Sequence, residues 1–206
     1  MTVERREQIL DAALHVFARH GFHKATIKQI AQEAGLKSPA LIYWYFPSKA
    51  DLFQAVVQRL AALFSHLQEY ESLLNQPPED LLLRLAQQYL AIFDNPQAEN
   101  LFRTLVADAL RAPERSSELV EQSIGRVVNF LVAYFGRQIE LGHLRPHNPE
   151  ASARAFLGAL NAFVMSRTFF PPLHTGLPDR DTYAAHIVSI FLNGLRAERP
   201  PCSDGC

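Results

Sequence analysis

The chain has 206 residues, of which 48% are hydrophobic and 20% are charged, and its net charge is −1. This composition is that of a folded globular protein and excludes wholesale disorder. The longest charge-free apolar stretch of helical character, residues 155–166, is shorter than the ~18 residues that a membrane-spanning helix needs.

The net charge conceals an asymmetry along the chain. Residues 1–59 contain eight basic and five acidic side chains, for a charge of +3, whereas the remainder carries twelve basic and sixteen acidic ones, for a charge of −4. All four lysines lie between positions 24 and 49. A basic N-terminal segment favours a nucleic-acid partner, which the total charge alone does not suggest.

The two cysteines, Cys202 and Cys206, both lie in the last five residues. A disulfide-stabilised secreted protein has cysteines throughout its core, so we expect a cytoplasmic protein. The Cys-x3-Cys spacing is compatible with a redox or metal site, but its Pro/Ser/Gly surroundings favour a disordered tail at residues 200–206.

Prolines and glycines divide the chain into segments whose apolar residues recur with a helical period. No segment alternates apolar and polar residues between Asn-Gly or Asp-Gly turns, as a β-hairpin does. The pattern therefore predicts an all-α protein of about nine helices. Four are expected in the first third of the chain, and the others near residues 78–94, 96–111, 114–141, 149–170 and 179–197.

The first predicted helix runs from about Val3 to His20, and Gly21 ends it. The second begins at Thr26, because a threonine followed three residues later by Gln29 forms a capping box.

A turn at residues 35–37 leads to a short third helix at 39–45, with Ser38 as its cap. Pro47-Ser48 then precedes a long fourth helix that continues to about Leu74. Two short capped helices joined by a three-residue turn with glycine are typical of a helix-turn-helix, whose second helix enters the major groove of DNA.

Four consecutive aromatic residues, Tyr43 to Phe46, end the third helix. Successive residues of a helix turn by ~100°, so the four side chains do not all face the core. We expect Phe46, and with it Tyr45, to be buried and at least one of Tyr43 and Trp44 to be exposed. A large exposed aromatic residue beside several lysines favours a binding partner.

Three ordered segments of the first fifty residues resemble the TetR family of transcriptional regulators: residues 9–13 with Phe17 and the turn at 21–22, residues 26–35, and residues 42–52. The last segment places Tyr-x-x-Phe-Pro-Ser-Lys at the head of a long helix and is the most specific. The rest of the chain is similar to the family only in the number and length of its helices.

The resemblance implies a helix-turn-helix DNA-binding domain at residues 1–48 and a helical regulatory and dimerisation domain at residues 49–199. It implies a dimeric repressor that binds a palindromic DNA operator and is released by a small-molecule effector. We expect no cofactor, no catalytic residue and no membrane partner, since the acidic larger part would repel anionic lipid. The alternative is a helical small-molecule carrier or enzyme that has kept the N-terminal fold without operator binding.

The resemblance also implies which side chains contact DNA. Those expected at the phosphate backbone are Thr26, Lys28, Tyr43 and Lys49. Those expected at or near base edges are Lys37, Ser38 and Trp44, beside Pro39 at the start of the recognition helix. In the recognition helix the family usually has a small residue followed by a residue with a hydroxyl group, whereas this chain has Ala40-Leu41. Either base recognition is more apolar here, through contacts with thymine methyl groups, or Leu41 belongs to the core.

The dimer interface is implied on the last two long helices, which would form a four-helix bundle with a second subunit. The sequence adds a stripe of small residues on one helix and a wide apolar arc on the other. The predicted interface residues are Ala155, Gly158, Ala159, Ala162, Ile187, Ile190, Phe191 and Leu195. For each residue by itself, an ordinary intramolecular core is an equally good interpretation.

Polar residues in the aromatic-rich, apolar stretches of the larger domain predict a ligand pocket. The predicted lining comprises Phe64, His66, Tyr89, Phe93, Phe102, Leu105, Asn129, Phe130, Tyr134, Asn161, Phe163 and Arg167. A mostly apolar pocket with a few polar anchors suits a lipophilic or aromatic small molecule. For each polar residue the alternative is a satisfied or exposed side chain. His143 and His147 lie in a proline-rich loop without further ligands, so no metal site is predicted.

Overall fold

The computed structural model of the chain describes residues 3–60, 70–111 and 113–195, which contain no β-strand. The predicted all-α fold is confirmed. The α-helices of the described residues are α1 (Val3–Lys24), α2 (Ile27–Glu33), α3 (Ala40–Tyr43), α4 (Lys49–Leu60), α5 (Tyr70–Leu74), α6 (Pro78–Ala91), α7 (Pro96–Arg111), α8 (Pro113–Glu140), α9 (Pro149–Phe169), α10 (Pro171–His174) and α11 (Arg180–Leu195). A 3₁₀-helix, Ile92–Asp94, joins α6 to α7.

The last five predicted helices correspond to α6–α9 and α11, because prolines and glycines mark their ends in the sequence. The short α10 was not among them and fills the break at Pro171-Pro172. The predicted continuation of the fourth helix to Leu74 falls partly outside the described residues. The predicted tail at residues 200–206, with its two cysteines, lies outside them as well.

Gly21 interrupts the helix at the predicted position and changes the direction of the chain. Its φ of 76° is in a region that L-residues rarely adopt, and one more helical turn follows up to Lys24. On the longer part of α1, the apolar residues Ile9, Ala13 and Phe17 recur at helical spacing and are fully buried.

Thr26 and Gln29 form the predicted capping box at the start of α2. The amide of Thr26 donates to Gln29 Oε1 over 2.9 Å, and the amide of Gln29 donates to Thr26 Oγ1 over 3.2 Å. At the other end of α2, Gly35 has a φ of 61°, and the amide of Leu36 donates to the Ala31 carbonyl over 2.8 Å. This left-handed cap ends α2 and directs the chain into α3.

The third helix is shorter than predicted because its backbone forms three-residue turns at both ends. The amide of Ile42 donates to the Pro39 carbonyl over 3.1 Å, and the amide of Tyr45 donates to the Ile42 carbonyl over 3.0 Å. Ile42 and Phe46 are buried in the N-terminal core, which fixes α3 against α1 and α4.

Helix α7 contributes to both hydrophobic cores of the chain. The N-terminal core consists of α1–α4 together with Leu101, and Leu105 packs against it. The C-terminal core is built from α6, α8, α9 and α11, and Phe102 packs against it with its ring 5.2 Å from that of Phe93. Displacement of α7 therefore affects the packing of both parts of the molecule.

Among the described helices, none combines the length and the apolar character that crossing a membrane requires.

Candidate nucleic-acid interface and ligand pocket

The surface around α3 presents a group of exposed side chains. Tyr43 is 52% exposed and Trp44 is 71% exposed. Pro39 and Ala40 are exposed as well, and Leu41 also lies outside the core. Both aromatic residues and the first turn of α3 thus face solvent.

The neighbouring aromatic residues behave as the helical geometry predicts. Phe46 is buried, and Tyr45 is partly buried against the N-terminal core. Of the four consecutive aromatic residues, only Tyr43 and Trp44 are exposed on the surface.

Two lysines beside this surface have unpaired ammonium groups in the described part of the chain. Lys28 and Lys37 are exposed, and within the described part of the chain neither ammonium group takes part in a hydrogen bond or ion pair. The hydroxyl of Thr26 is held by Gln29 Oε1 at 2.9 Å, and Ser38 Oγ accepts from the Ala40 amide over 3.3 Å. The two lysines therefore present positive charge to solvent. Thr26 caps α2, whereas Ser38 is not the predicted cap of α3, whose N-cap residue is Pro39.

Lys49 differs from these lysines because its ammonium group is directed into the protein. It donates to the carbonyls of Phe22 at 2.8 Å, Ala25 at 3.0 Å and His23 at 3.4 Å. It also lies 4.5 Å from the centroid of the Phe22 ring, and burial lowers the pKa of Lys49 below its ordinary value. This arrangement differs from the expected contact between Lys49 and a phosphate.

A small apolar cavity lies between α6, α8 and α9. Its lining consists of Leu85, Tyr89, Val127, Phe130, Leu131, Phe156, Leu157 and Leu160. The cavity volume is about 10 Å³, which is room for a single water molecule at most. A larger molecule would have to displace some of these side chains.

Tyr89 and Asn161 form a polar pair next to this cavity. The Tyr89 hydroxyl donates to Asn161 Oδ1 over 2.5 Å, and burial raises the pKa of Tyr89. The predicted residues Tyr89, Phe130 and Asn161 are therefore close together. Phe93 and Phe102 continue the aromatic cluster on the side of α7, where the rings of Tyr89 and Phe93 are 5.6 Å apart.

Other predicted pocket residues lie elsewhere. Tyr134 is fully buried and donates to the Gln76 carbonyl over 2.8 Å, while Phe163 packs on Tyr183 with 4.7 Å between ring centroids. Asn129 is a correction, since its side chain is exposed on the surface of α8. Leu105 packs on the N-terminal core rather than on the cavity. Phe64 and His66 lie outside the described residues.

Arg167 is also a correction, because its guanidinium binds groups of the chain itself. It donates to the Phe93 carbonyl and lies 3.6 Å from Asp94 Oδ1 and 3.8 Å from Glu99 Oε2. Asp94 in turn pairs with Arg180 of α11. These contacts join the 3₁₀-helix to α9 and α11. The terminal nitrogens of Arg167 therefore have partners within the chain, whereas its Nε is buried without one among the described residues.

The predicted dimer face consists of exposed and partly buried residues. On α9, Ala155, Gly158 and Ala162 are exposed, and on α11 Ile190 is 69% exposed. The others are partly buried, namely Ala159, Ile187, Phe191 and Leu195. The last three pack against the C-terminal core, so the intramolecular interpretation applies to much of their surface.

Six residues of the cavity lining escaped the sequence prediction, namely Leu85, Val127, Leu131, Phe156, Leu157 and Leu160. A search for polar residues in apolar stretches finds candidate anchors, whereas aliphatic lining has the same pattern as any core helix. The apolar stripes of the three helices contain these residues but give no sign of which ones border a cavity.

Two family models match the chain. One, described as bacterial regulatory proteins of the tetR family, matches residues 9–56. The other, described as the C-terminal domain of AefR-like transcriptional repressors, matches residues 80–194. Because the second match alone spans more than half of the chain, the protein belongs to the TetR family.

Individual relatives are similar over shorter stretches. The regulator SrpR of Pseudomonas putida is 46% identical over 54 residues, which are 26% of this chain and 25% of SrpR. The dual regulator CecR of Shigella flexneri is 30% identical over 132 residues, which are 59% of this chain and 58% of CecR. The chain thus spans less than two thirds of the length of these curated relatives.

A solved structure of the regulator FadR from Bacillus subtilis, in complex with stearoyl-CoA, superimposes with a TM-score of 0.68. The match covers 91% of this chain and 98% of FadR at 16% sequence identity. At this identity the similarity supports the fold alone.

Proposed function

We propose that the protein is a transcriptional repressor that binds a palindromic DNA operator as a homodimer and is released by a lipophilic or aromatic effector. Residues 1–48 form its DNA-binding domain, and the later helices form its regulatory and dimerisation domain. The observation that carries this proposal is the exposed surface around α3, where Tyr43 and Trp44 accompany the exposed lysines Lys28 and Lys37. The match to a repressor C-terminal domain supports repression rather than activation.

The chemistry of this surface fits double-stranded DNA. Lys28 and Lys37 supply charge for phosphates, and Tyr43 supplies a hydroxyl donor. The exposed apolar atoms of Ala40, Leu41 and Trp44 suit the methyl groups and sugars at the edge of a major groove. A single four-residue α3 contacts too few base pairs for specificity, so two copies on successive half-sites are required.

The exposed face of α9 and α11 supports the homodimer. Ala155, Gly158 and Ala162 have small side chains, which permit close approach of a second helix, and Ile190 adds an apolar anchor. Two α9–α11 pairs packed in this way form a four-helix bundle.

The Tyr89–Asn161 pair and the apolar cavity beside it support a lipophilic or aromatic effector. The Tyr89 hydroxyl and Asn161 Oδ1 already form a hydrogen bond with each other. An effector must therefore offer a replacement hydrogen bond or leave this one intact. The stearoyl-CoA bound to FadR is one example of a largely apolar ligand on this fold.

Helix α7 offers the route from effector to DNA. Its Phe102 borders the aromatic cluster of the C-terminal core, whereas Leu101 is buried against α1. The Thr104 hydroxyl lies 2.8 Å from the Asn100 carbonyl of its own helix and 3.1 Å from the Ala18 carbonyl of α1, and its single hydrogen is shared between them.

An effector that enlarges the cavity moves Tyr89, whose ring contacts lead through Phe93 to Phe102 of α7. Displacement of α7 then displaces α1. The free energy available for this shift is limited by the effector's differential affinity for the two states.

The test is DNA binding as a function of salt. Wild-type protein is used to select palindromic duplexes from a random pool, and the affinity for the selected duplex is measured from low to moderate salt. We expect a strong decrease with salt. In Lys28→Ala the slope should be smaller by about two units, because each subunit of the dimer loses one phosphate contact. If no duplex is selected and none is retained at low salt, the repressor proposal is wrong and the carrier or enzyme alternative takes its place.

A further inference from the structure

Lys49 lies at the first position of α4, yet its ammonium group contacts the end of α1. The acceptors are the carbonyls of Phe22, His23 and Ala25, which belong to the segment around the last turn of α1. The final carbonyls of a helix lack intrahelical donors, and a lysine supplied by another element satisfies them here.

The three carbonyls equal in number the N–H donors of the ammonium group. An ammonium has three N–H donors and no acceptor, so a phosphate oxygen would have to replace one of these carbonyls. The Phe22 ring, 4.5 Å from Nζ, covers a further side of the cation. Lys28 and Lys37, in contrast, are exposed and free to meet phosphate.

The contact between Lys49 and the Ala25 carbonyl also affects the orientation of α2. Ala25 directly precedes Thr26, the N-cap of α2, and its own amide donates to the Gly21 carbonyl over 3.1 Å. The direction in which α2 leaves α1 is therefore fixed by a bond to α4. Since α3 follows α2 through the three-residue turn, the orientation of the recognition helix depends on the same bond.

We propose that Lys49 is a positioning residue that sets the orientation of α2 and α3, and that it is not a phosphate contact. The proposal rests on the proposed function, since it assumes that these helices bind DNA. Lys49 then affects operator specificity through the orientation of the recognition helix, without contacting the DNA itself.

The discriminating substitution is Lys49→Arg, which keeps the charge. A guanidinium presents its donors as a planar fork, so it is unable to direct three N–H groups at three carbonyls around one point. Arginine binds phosphate at least as well as lysine. A phosphate contact therefore tolerates this change, whereas a positioning contact does not.

The affinities of wild type, Lys49→Arg and Lys49→Gln are measured for the palindromic duplex selected by wild type and for a non-palindromic duplex of equal length. We expect Lys49→Arg to bind the selected duplex about tenfold more weakly and to bind the other duplex within about twofold of wild type, because non-specific affinity follows the phosphate contacts. Lys24→Arg is the matched control, because Lys24 is an exposed lysine outside the proposed DNA surface, and it should retain affinity for both duplexes.

The result that overturns the proposal is full retention of selective binding in Lys49→Arg, together with an equal loss on both duplexes in Lys49→Gln. A separate arm needs no DNA and measures urea unfolding of the same variants. Both Lys49 variants should unfold at lower urea than wild type and Lys24→Arg, and equal midpoints contradict the proposal. If wild type selects no duplex, the proposed function fails, and this arm still decides whether Lys49 holds α1 to α4.

Discussion

Trp44 is a large aromatic side chain that folding leaves in solvent. It is 71% exposed at the end of α3, while Phe46, two residues later, is buried in the N-terminal core. The exposed indole does not contribute to the core, so its size is better explained by binding than by stability. Tyr43 and Trp44 together form the apolar part of the proposed DNA surface.

Trp44→Ala should separate binding from folding. We expect its affinity for the selected duplex to fall by about tenfold, within the ~1–3 kcal/mol of one good base contact. Its free energy of unfolding should stay within ~0.5 kcal/mol of wild type, as for other exposed positions. The matched substitution Phe46→Ala should lower stability by ~3–5 kcal/mol. Unchanged affinity in Trp44→Ala would remove this residue from the interface.

The exposure of the aromatic run was predictable from the sequence, but the direction of individual polar side chains was not. Helical rotation alone requires some of residues 43–46 to face outward. Lys49, in contrast, binds carbonyls 24 to 27 residues earlier in the chain, a contact that only the packing of α4 on α1 creates. Arg167 differs from prediction for the same reason, since it donates to a carbonyl 74 residues earlier in the chain. Asn129 differs because it lies on the exposed side of α8.

At the scale of elements, the turn between α2 and α3 decides where the recognition helix points. Gly35 has a φ of 61°, and a Cβ added there would meet no atom within 4 Å. The requirement for glycine is therefore conformational and not steric.

Gly35→Ala should lower the free energy of unfolding by ~1–2 kcal/mol, which is the cost of a left-handed L-residue. Gly136→Ala is the matched control, because Gly136 lies within α8 and a Cβ there also meets no atom within 4 Å. Alanine in a helix interior stabilises by roughly 0.5–1 kcal/mol, so the two variants should shift the urea midpoint in opposite directions. Equal shifts would show that the glycine conformation at position 35 is not required.

Elements with local signals were predicted well, and those set by tertiary contacts were not. The capping box at Thr26 and the glycine cap at Gly35 involve residues within a few positions of each other, so their signature lies in the sequence. The participation of α7 in both cores has no such signature. Leu101 and Phe102 are adjacent apolar residues, and only the folded chain shows that they belong to different cores.

At the scale of the whole molecule, the proposal requires a dimer. Ile190 is 69% exposed on α11. In the proposed four-helix bundle, an aspartate at this position would be desolvated without a partner. Ile190→Asp should therefore be a monomer at micromolar concentration by light scattering and should lose operator affinity.

Leu110→Asp is the control for this substitution, because Leu110 is 80% exposed and lies on α7, which contributes no residue to the proposed dimer face. It should remain a dimer. A dimeric Ile190→Asp protein would place the subunit interface elsewhere.

The central claim is that the surface around α3 binds DNA, and Trp44, the only tryptophan of the chain, reports on it directly. Tryptophan fluorescence is followed while the palindromic duplex selected by wild type, or one from the promoter of its own gene, is added at low salt. The account predicts a saturable change in emission that is reversed by salt. Unchanged emission, together with no retarded complex on a gel at low salt, would contradict it.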